Sequence, residues 1–437
     1  MRLMKRLLGA LLYLIFLVLS LSAHAEESYT FDLSEIEKKP YHFAGYVEAR
    51  PVFYGLKSDA AFYQLRFFDN PNRDTLWEAN GRVRLDGSYE KSIFRVFARL
   101  NTDLQYNDYT NSSEQTTFYE AYGSAKPHTS VKIDVGKKTL KWGKGYAWNP
   151  VAFADRPKDP DDPEQTMEGY IVATADFIRS FDGPLKTVSF SPVLFPVYDH
   201  INSDFGQNNK INAAGRLYFL FYDTDIDVMF MTGGSRPDRY GFDFSRNVTT
   251  NFEIHGEYSW AKNTRKTVLN AAGAAETVEG EAHSFLIGLR YLTSFDLTTI
   301  VEFYSNSAGF HRDEMKNFYS LISRGFDAYQ KTGDLTGLDR SMQLAESGYA
   351  RPNAMRNYLY VRVSQKEPFE ILYFTPSLTC MINTDDRSAN IMPELLYTGI
   401  TNLELRLRTG VLTGGHNTEF GEKQNNWRIE LRVGYYF

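Results

Sequence analysis

Residues 427–437 limit the folds that this chain can adopt. The odd-numbered positions are all apolar, and the even-numbered positions carry three charges. The apolar face consists of Trp427, Ile429, Leu431, Val433, Tyr435 and Phe437, and the other face of Arg428, Glu430, Arg432, Gly434 and Tyr436. Because successive side chains of a β-strand point to opposite sides, the segment predicts a strand with lipid on one face and water on the other.

The first 25 residues predict a cleaved signal peptide. A basic start precedes a short apolar run and a small-residue cleavage sequence, the order that a signal peptidase substrate requires. These parts are Arg2, Lys5 and Arg6, residues 7–21, and Ala23-His24-Ala25. We therefore expect an exported protein whose mature chain begins at Glu26.

The rest of the chain has no second run of about 18 apolar residues, so no membrane-spanning helix is expected. A lipid-facing strand in such a chain requires a closed barrel, because an open sheet edge leaves backbone groups unpaired in hydrocarbon. The 29 Tyr and 32 Phe residues suit the aromatic belts at the two membrane interfaces. A single cysteine excludes an internal disulfide, and the net charge of −6 does not suggest a nucleic-acid partner.

Alternating segments recur along the whole mature chain. They predict an all-β, transmembrane, antiparallel up-and-down β-barrel of about 18 strands, with 16 as the alternative count. We expect strands near residues 42–52, 77–90, 93–106, 117–126, 129–138, 169–180, 186–195, 211–222, 226–233, 239–246, 251–262, 282–293, 297–308, 355–365, 370–381, 389–398, 401–412 and 427–437. An even count is typical of bacterial single-chain barrels.

The predicted connections alternate between short and long, with the longest at residues 53–76, 139–168 and 309–354. Outer-membrane barrels have short periplasmic turns and long outer loops. We therefore expect both termini in the periplasm. Residues 26–40 are predicted to be a periplasmic lead-in, with a small pore plug as the alternative, and residues 41–437 are predicted to form the barrel.

In these features the chain resembles the bacterial outer-membrane β-barrels, and in layout the larger porin-like ones, including sugar-specific and alginate-export porins. The resemblance implies a bacterial outer-membrane location, with contacts to membrane lipid and lipopolysaccharide. It also implies that the barrel-assembly machinery reads Phe437 as an insertion signal. Porins are often trimeric, so a homotrimer is one assembly that the resemblance allows.

Charged residues on the water-facing side of the strands are predicted to line the lumen. They are Arg82, Arg84, Arg216, Arg290, Arg362, Glu404, Arg406, Arg408, Arg428, Glu430 and Arg432. Arginines on the last two strands should form one patch, which could attract anions in a narrow pore. The alternative is that these arginines pair across strands with Glu404 and Glu430 and brace the wall.

The connection at about 139–168 is predicted to fold inward and narrow the pore. Trp142, Tyr146 and Trp148 offer flat faces for stacking on sugar rings, and glycines between them allow tight turns. A surface loop without a ligand is the alternative. The acidic side chains that follow are expected to be solvated or to bind a hard divalent cation. They are Asp155, Asp159, Asp161, Asp162 and Glu164. Their spacing does not match a calcium loop, so no metal is predicted.

The connection at 309–354 changes from strand to helix periodicity. Met315, Phe318, Tyr319, Ile322 and Phe326 lie on one face of a predicted helix. An apolar helix face outside the membrane must pack on something. We expect it to cap the pore mouth or fold partly into it, with a helix lying on the outer leaflet as the alternative.

The sequence predicts neither an enzyme nor a cofactor. The eight histidines show no metal or catalytic-triad spacing, and no haem-attachment motif is present. We predict an outer-membrane porin-like channel for passive diffusion of small hydrophilic solutes. The alternative is a non-conducting barrel that displays its loops to polysaccharide or a protein partner, or that sheathes a partner.

Overall fold

Eighteen antiparallel strands form a closed barrel in the computed structural model, which describes residues 39–110 and 112–437. Each strand pairs with its neighbours in sequence, and the first strand also pairs with the last. The fold class and the count of 18 predicted from the sequence are therefore confirmed. The predicted signal peptide and residues 26–38 of the predicted lead-in lie outside the described residues.

The strands lie close to their predicted positions, and most extend further. They are β1 Tyr41–Leu56, β2 Thr75–Lys91, β3 Phe94–Asn107, β4 Ser113–His128, β5 Val131–Lys138, β6 Tyr170–Ser180, β7 Leu185–Val197, β8 Lys210–Phe221, β9 Thr224–Thr232, β10 Arg239–Thr249, β11 Phe252–Leu269, β12 Ala275–Leu292, β13 Leu297–Asn306, β14 Asn357–Gln365, β15 Phe374–Asn383, β16 Ala389–Ile400, β17 Leu403–Thr413 and β18 Asn425–Tyr436.

The two faces of β18 have different surroundings, as its alternating sequence predicts. Leu431 is 44% exposed on the outer face, whereas the neighbouring Glu430 is 7% exposed on the inner face. Exposed apolar side chains recur on the outer faces of the other strands, where lipid covers them. A closed barrel with this apolar outer surface is a bacterial outer-membrane protein.

The connections alternate between short turns at one end of the barrel and longer loops at the other, which confirms the predicted rhythm. The turn between β8 and β9 has two residues, Tyr222 and Asp223, with φ of 47° and 58°. Positive φ at both positions gives a turn whose twist matches that of the flanking strands. By the convention of such barrels, the short turns are periplasmic and the long loops face outward.

Three helices lie in the long loops: α1 Ala61–Arg66, α2 Arg312–Thr332 and α3 Thr336–Leu344. A π-helical turn, Ala345–Tyr349, follows α3, and a 3₁₀ turn, Pro368–Glu370, joins β14 to β15. No helix in the described ranges is long and apolar enough to cross a membrane.

The helix α2 has the position and the buried face predicted for it. The Glu314 carboxylate accepts a hydrogen bond from the His311 backbone N–H at 2.8 Å, which satisfies a free donor at the helix start. The helix ends at Gly333, whose φ of 76° is suited to glycine. Its buried side chains are Met315, Phe318, Tyr319 and Ile322, with Gly325.

This buried face packs on other outer loops. The rings of Phe62 in α1 and Phe318 in α2 are 6.0 Å apart. The backbone N–H of Ala61 in turn donates to Glu422, in the loop between β17 and β18, at 2.7 Å. Because these loops start from different sectors of the barrel rim, the helices cover part of the pore mouth rather than lying on the outer leaflet.

The lipid-facing role of Leu431 can be tested by introducing a charge. Leu431→Arg should lower the free energy of unfolding by about 2–4 kcal/mol, the cost of an arginine near the bilayer midplane of a barrel. Urea unfolding of protein refolded into lipid vesicles would measure this change. Leu335→Arg, in the outer loop between α2 and α3, is the matched control and should leave stability almost unchanged. Equal effects of the two substitutions would contradict the assigned membrane face.

Candidate functional site

The connection between β5 and β6, residues 139–169, enters the barrel, and we call it the inner loop. Its residues contact side chains of β9, β11 and β13 on one wall. They also contact β16, β17 and β18 on another wall. Since these walls lie in different sectors of a closed sheet, a single loop can reach both only by crossing the lumen.

Two buried carboxylates hold the first part of the inner loop. Glu257 of β11 accepts hydrogen bonds from the backbone N–H groups of Lys144 and Gly145, both at 2.6 Å. Its other oxygen accepts from the N–H of Val151 at 3.3 Å, and Asn149 adds a side-chain bond at 2.9 Å. The loop has no regular secondary structure here, so the strand wall supplies the acceptors that its N–H groups require.

Glu302 of β13 is the second carboxylate. It accepts from the backbone N–H of Ala147 at 2.8 Å and from that of Tyr146. His255 Nε2 lies 2.9 Å from Glu302 Oε1. Glu302 has no exposed surface, and burial of a carboxylate in such a site requires several hydrogen-bond donors of this kind.

Gly143 is required by the backbone at this contact. Its φ is 96°, and a Cβ atom there would lie 2.5 Å from Asn149 Nδ2 and 2.8 Å from Glu257 Oε1. A side chain would therefore be strained and would also displace the carboxylate. Next to it, Lys144 Nζ forms an ion pair with Asp227 of β9 at 2.9 Å, with Asp243 of β10 at 4.0 Å.

The aromatic residues of the inner loop lie in packed surroundings. Trp148 is stacked on Tyr304 of β13, with centroids 5.1 Å apart and 14° between planes, and is 7% exposed. Trp142 is 4% exposed and packs in an apolar cluster with Val151 and Phe153. The Tyr146 hydroxyl donates to Glu164 at 2.9 Å. The two tryptophans anchor the loop by packing, and their role as stacking faces for a sugar ring stays a prediction.

The acidic second part of the inner loop binds the arginines of the last two strands. Arg432 donates to Asp162 at 2.8 Å, and Arg428 donates to Asp161 at 3.1 Å. Arg408 donates to the backbone carbonyl of Asp161 at 3.1 Å. Burial raises the pKa of the Asp162 carboxyl, but Arg432 and Arg408 outweigh this effect and lower the pKa to about 2. Both aspartates are thus bound to the wall, not solvated.

Two further acidic candidates behave differently. Asp155 accepts from the backbone N–H groups of Leu140 and Trp142 at 2.7 and 3.1 Å and closes a turn of the loop. Burial raises its pKa despite these bonds. Burial and the neighbouring Asp161 raise the pKa of Asp159. Between them, Lys158 donates to the carbonyls of Gly145 and Tyr146, and burial lowers its pKa.

The other predicted lumen residues, apart from Arg290, form ion pairs within the wall. Arg406 binds Glu404 at 3.1 Å, and Arg432 binds Glu430 at 3.0 Å, but each of these pairs lies within one strand rather than across two strands. The remaining contacts are Arg82 with Asp103, Arg84 with Asp86, Arg216 with Asp227, and Arg362 and Arg408 with Glu394. Arg290 is exposed and lies four residues along β12 from Leu286, on the same face. Its role as a pore-lining residue stays a prediction.

Several residues of the site were not singled out from the sequence. Asp227 and Asp243, which face Lys144, lie in strands whose alternation alone could have revealed them. Tyr304 and Tyr360, which enclose Trp148, give no such signal, because their contact with the loop depends on how the loop folds.

Comparison with known proteins finds solved structures with a similar fold. No family model and no curated protein matches the chain. The solved structure of OccAB1 from Acinetobacter baumannii is 9% identical, with 91% of this chain and 96% of that chain covered and a TM-score of 0.52. OccK11 from Pseudomonas aeruginosa is 10% identical, covering 90% and 96%, with a TM-score of 0.49. A mutant of the Rh. blastica porin is 10% identical, covering 91% and 100%, with a TM-score of 0.42.

These identities show likeness of fold alone. The chain is an outer-membrane β-barrel of porin-like architecture.

Removing the Glu257 charge should release the first part of the inner loop. In Glu257→Gln the side chain keeps one acceptor and places N–H donors against the N–H donors of the loop. Since a hydrogen bond to a charged group contributes about 1.5–3 kcal/mol, amide hydrogen exchange at Lys144, Gly145 and Val151 should accelerate at least ~10-fold. Glu281→Gln, on an exposed part of β12, is the control. Unchanged exchange in Glu257→Gln would contradict the anchoring role.

The second attachment should respond to acid. The pKa of Asp162 is lowered from 3.8 to about 2, so its charge favours the docked loop above pH 4, and this contribution is lost as pH falls through 2. A solvent-sensitive fluorophore on Pro160→Cys, in a Cys380→Ala protein, should report release in this window. Adding Asp162→Asn should remove the part of the transition that is due to Asp162, while any part due to Asp161 remains. A transition unchanged by Asp162→Asn would contradict the assignment.

Proposed function

We propose that this protein is a channel for passive diffusion of small hydrophilic solutes across the outer membrane, with a pore narrowed by the inner loop. The observation that carries the proposal is the attachment of one loop to two separate walls of the lumen. Glu257 and Glu302 bind it on one side, and Arg408, Arg428 and Arg432 bind it on the other.

The character of the lumen supports a water-filled path. Its inner faces carry many ion pairs between charged side chains, such as Arg84 with Asp86 and Arg99 with Glu120. A water-filled channel through a barrel requires a polar interior of this kind, whereas a lumen closed by apolar packing does not. The exclusion limit and selectivity would then depend on the space beside the inner loop.

The outer helices favour a second candidate function. Because α2 and α3 pack across neighbouring loops and cover part of the mouth, the barrel could instead display its outer surface to polysaccharide or a protein partner. A sheath around a partner belongs to the same class. Contacts with lipopolysaccharide and the assembly machinery, and a homotrimeric state, stay predictions from the resemblance.

Single-channel recording in a planar bilayer separates the two functions. The folded wild-type protein should give steady conductance, and deletion of residues 143–163 should raise the conductance per channel because the segment that crosses the lumen is gone. A deletion of the same length at another place in the chain would disrupt the fold. The control is therefore Asp313→Asn/Asp339→Asn on the outer helices, which should conduct like wild type.

Two outcomes would contradict the proposal. Absence of conductance from correctly folded wild-type protein would favour the display function. Equal conductance of the wild-type and deletion proteins would retain a channel but remove the inner loop as its constriction.

A further inference from the structure

A cavity of about 760 Å³ lies between the inner loop and the inner faces of β10–β13. Its rim reaches the outer loop between β13 and β14 through Ala308 and Arg351, and it extends across the lumen to Arg99 of β3. It therefore occupies the outer side of the proposed constriction. A volume of this size is typical of pockets that bind small molecules.

The charges around this cavity are unbalanced. Seven cationic side chains line it, but only two acidic ones, Asp155 and Glu164. Asp155 is occupied by backbone N–H groups, and Glu164 accepts from Tyr146. An anion entering from outside would thus meet a surplus of positive charge.

Five of the cations lack an acidic partner: Lys141, Lys158, Arg236, Arg239 and Arg351. Among the described residues, no carboxylate oxygen lies within 4.0 Å of their charged nitrogens. Lys158, Arg236 and Arg351 donate to backbone carbonyls instead. The arginines of β17 and β18 differ, because each of Arg406, Arg408, Arg428 and Arg432 binds at least one carboxylate.

Burial of a cation without an acidic partner costs free energy. Burial lowers the pKa of Lys158 and, in the loop between β9 and β10, that of Arg236. Arg239 Nε and Trp148 Nε1 are buried without a hydrogen-bond partner, and both residues line the cavity. Unpaired donors and charges in a partly desolvated site favour a bound anion.

The neutral part of the lining adds a second preference. Ser259, Thr264, Ser284 and Asn306 lie along the strand wall of the same cavity. Hydroxyl and amide groups of this kind can donate and accept hydrogen bonds with a solute that carries hydroxyl groups.

We propose that this cavity binds an anionic, polyhydroxylated solute of the sugar-acid class, with Arg239 and Arg351 recognising its carboxylate. This inference deepens the proposed channel function and rests on it. The sequence suggested that arginines of the last two strands attract anions, but the inner loop and the wall neutralise those arginines. The group that attracts anions is therefore placed on the opposite wall.

Isothermal titration of folded, detergent-solubilised protein tests the site without requiring a current. Gluconate should bind at least ~10-fold more tightly than glucose or acetate, since only gluconate offers both the charge and the hydroxyl groups. Its affinity should fall with added salt, because partly exposed charges are screened. This comparison uses the unmodified protein and does not depend on the folding of a variant.

Paired substitutions then locate the site. Arg239→Gln/Arg351→Gln should weaken gluconate binding at least ~10-fold without changing glucose binding. Arg265→Gln/Arg324→Gln removes the same charge from residues outside the cavity and should leave the affinity within about twofold. Gluconate binding no tighter than that of glucose or acetate would overturn the inference, as would equal loss in both variants. A protein that conducts but shows no such preference retains the channel function, whereas one that binds gluconate without conducting loses the channel and retains the site.

Discussion

The structure depends on how the backbone N–H groups of the inner loop find hydrogen-bond acceptors inside the barrel. An irregular segment that leaves the surface loses water and must find acceptors for its N–H groups. Glu257 and Glu302 provide these acceptors from two strands of the wall, and each carboxylate binds at least two backbone donors. The position of the rest of the loop follows from this contact, since it fixes where Trp148 packs and which way the acidic residues point.

The same loop determines the electrostatics of the lumen. Its acidic residues Asp161 and Asp162 bind arginines of β17 and β18, so charge that the strands present is neutralised by charge that the loop brings. Cationic groups on the opposite side, such as Arg239, keep no acidic partner. A barrel built in this way has a polar lumen in which the loop neutralises arginines on the wall of β16–β18, while the cavity beside β10–β13 keeps cations without an acidic partner. The charge of the lumen thus depends on pairing between distant segments rather than on the composition of any strand.

The extent to which the sequence predicts this molecule follows from the range of each interaction. Strand positions and barrel closure were predictable, because the alternation of residues such as Leu431 and Arg432 is local and lipid imposes it on every strand. The helix α2 was predictable because the spacing of its apolar residues is also a local pattern. The surroundings of Trp148 and the partners of Asp162 were not, since Gly145 and Glu257 are 112 residues apart in the chain and no strand pattern records which loop meets which wall.

The inner loop crosses the lumen and reaches the wall of β16–β18. Asn390 of β16 donates to Asp161 at 3.1 Å, so cysteines at Pro160 and Asn390 would be close while the arginine contacts stay intact. In a Cys380→Ala protein in outer membranes, a short bifunctional maleimide should join Pro160→Cys to Asn390→Cys but not to Thr277→Cys on the outer hairpin of β11 and β12. Failure to join the first pair in folded protein, or equal joining of both pairs, would contradict a loop folded across the lumen.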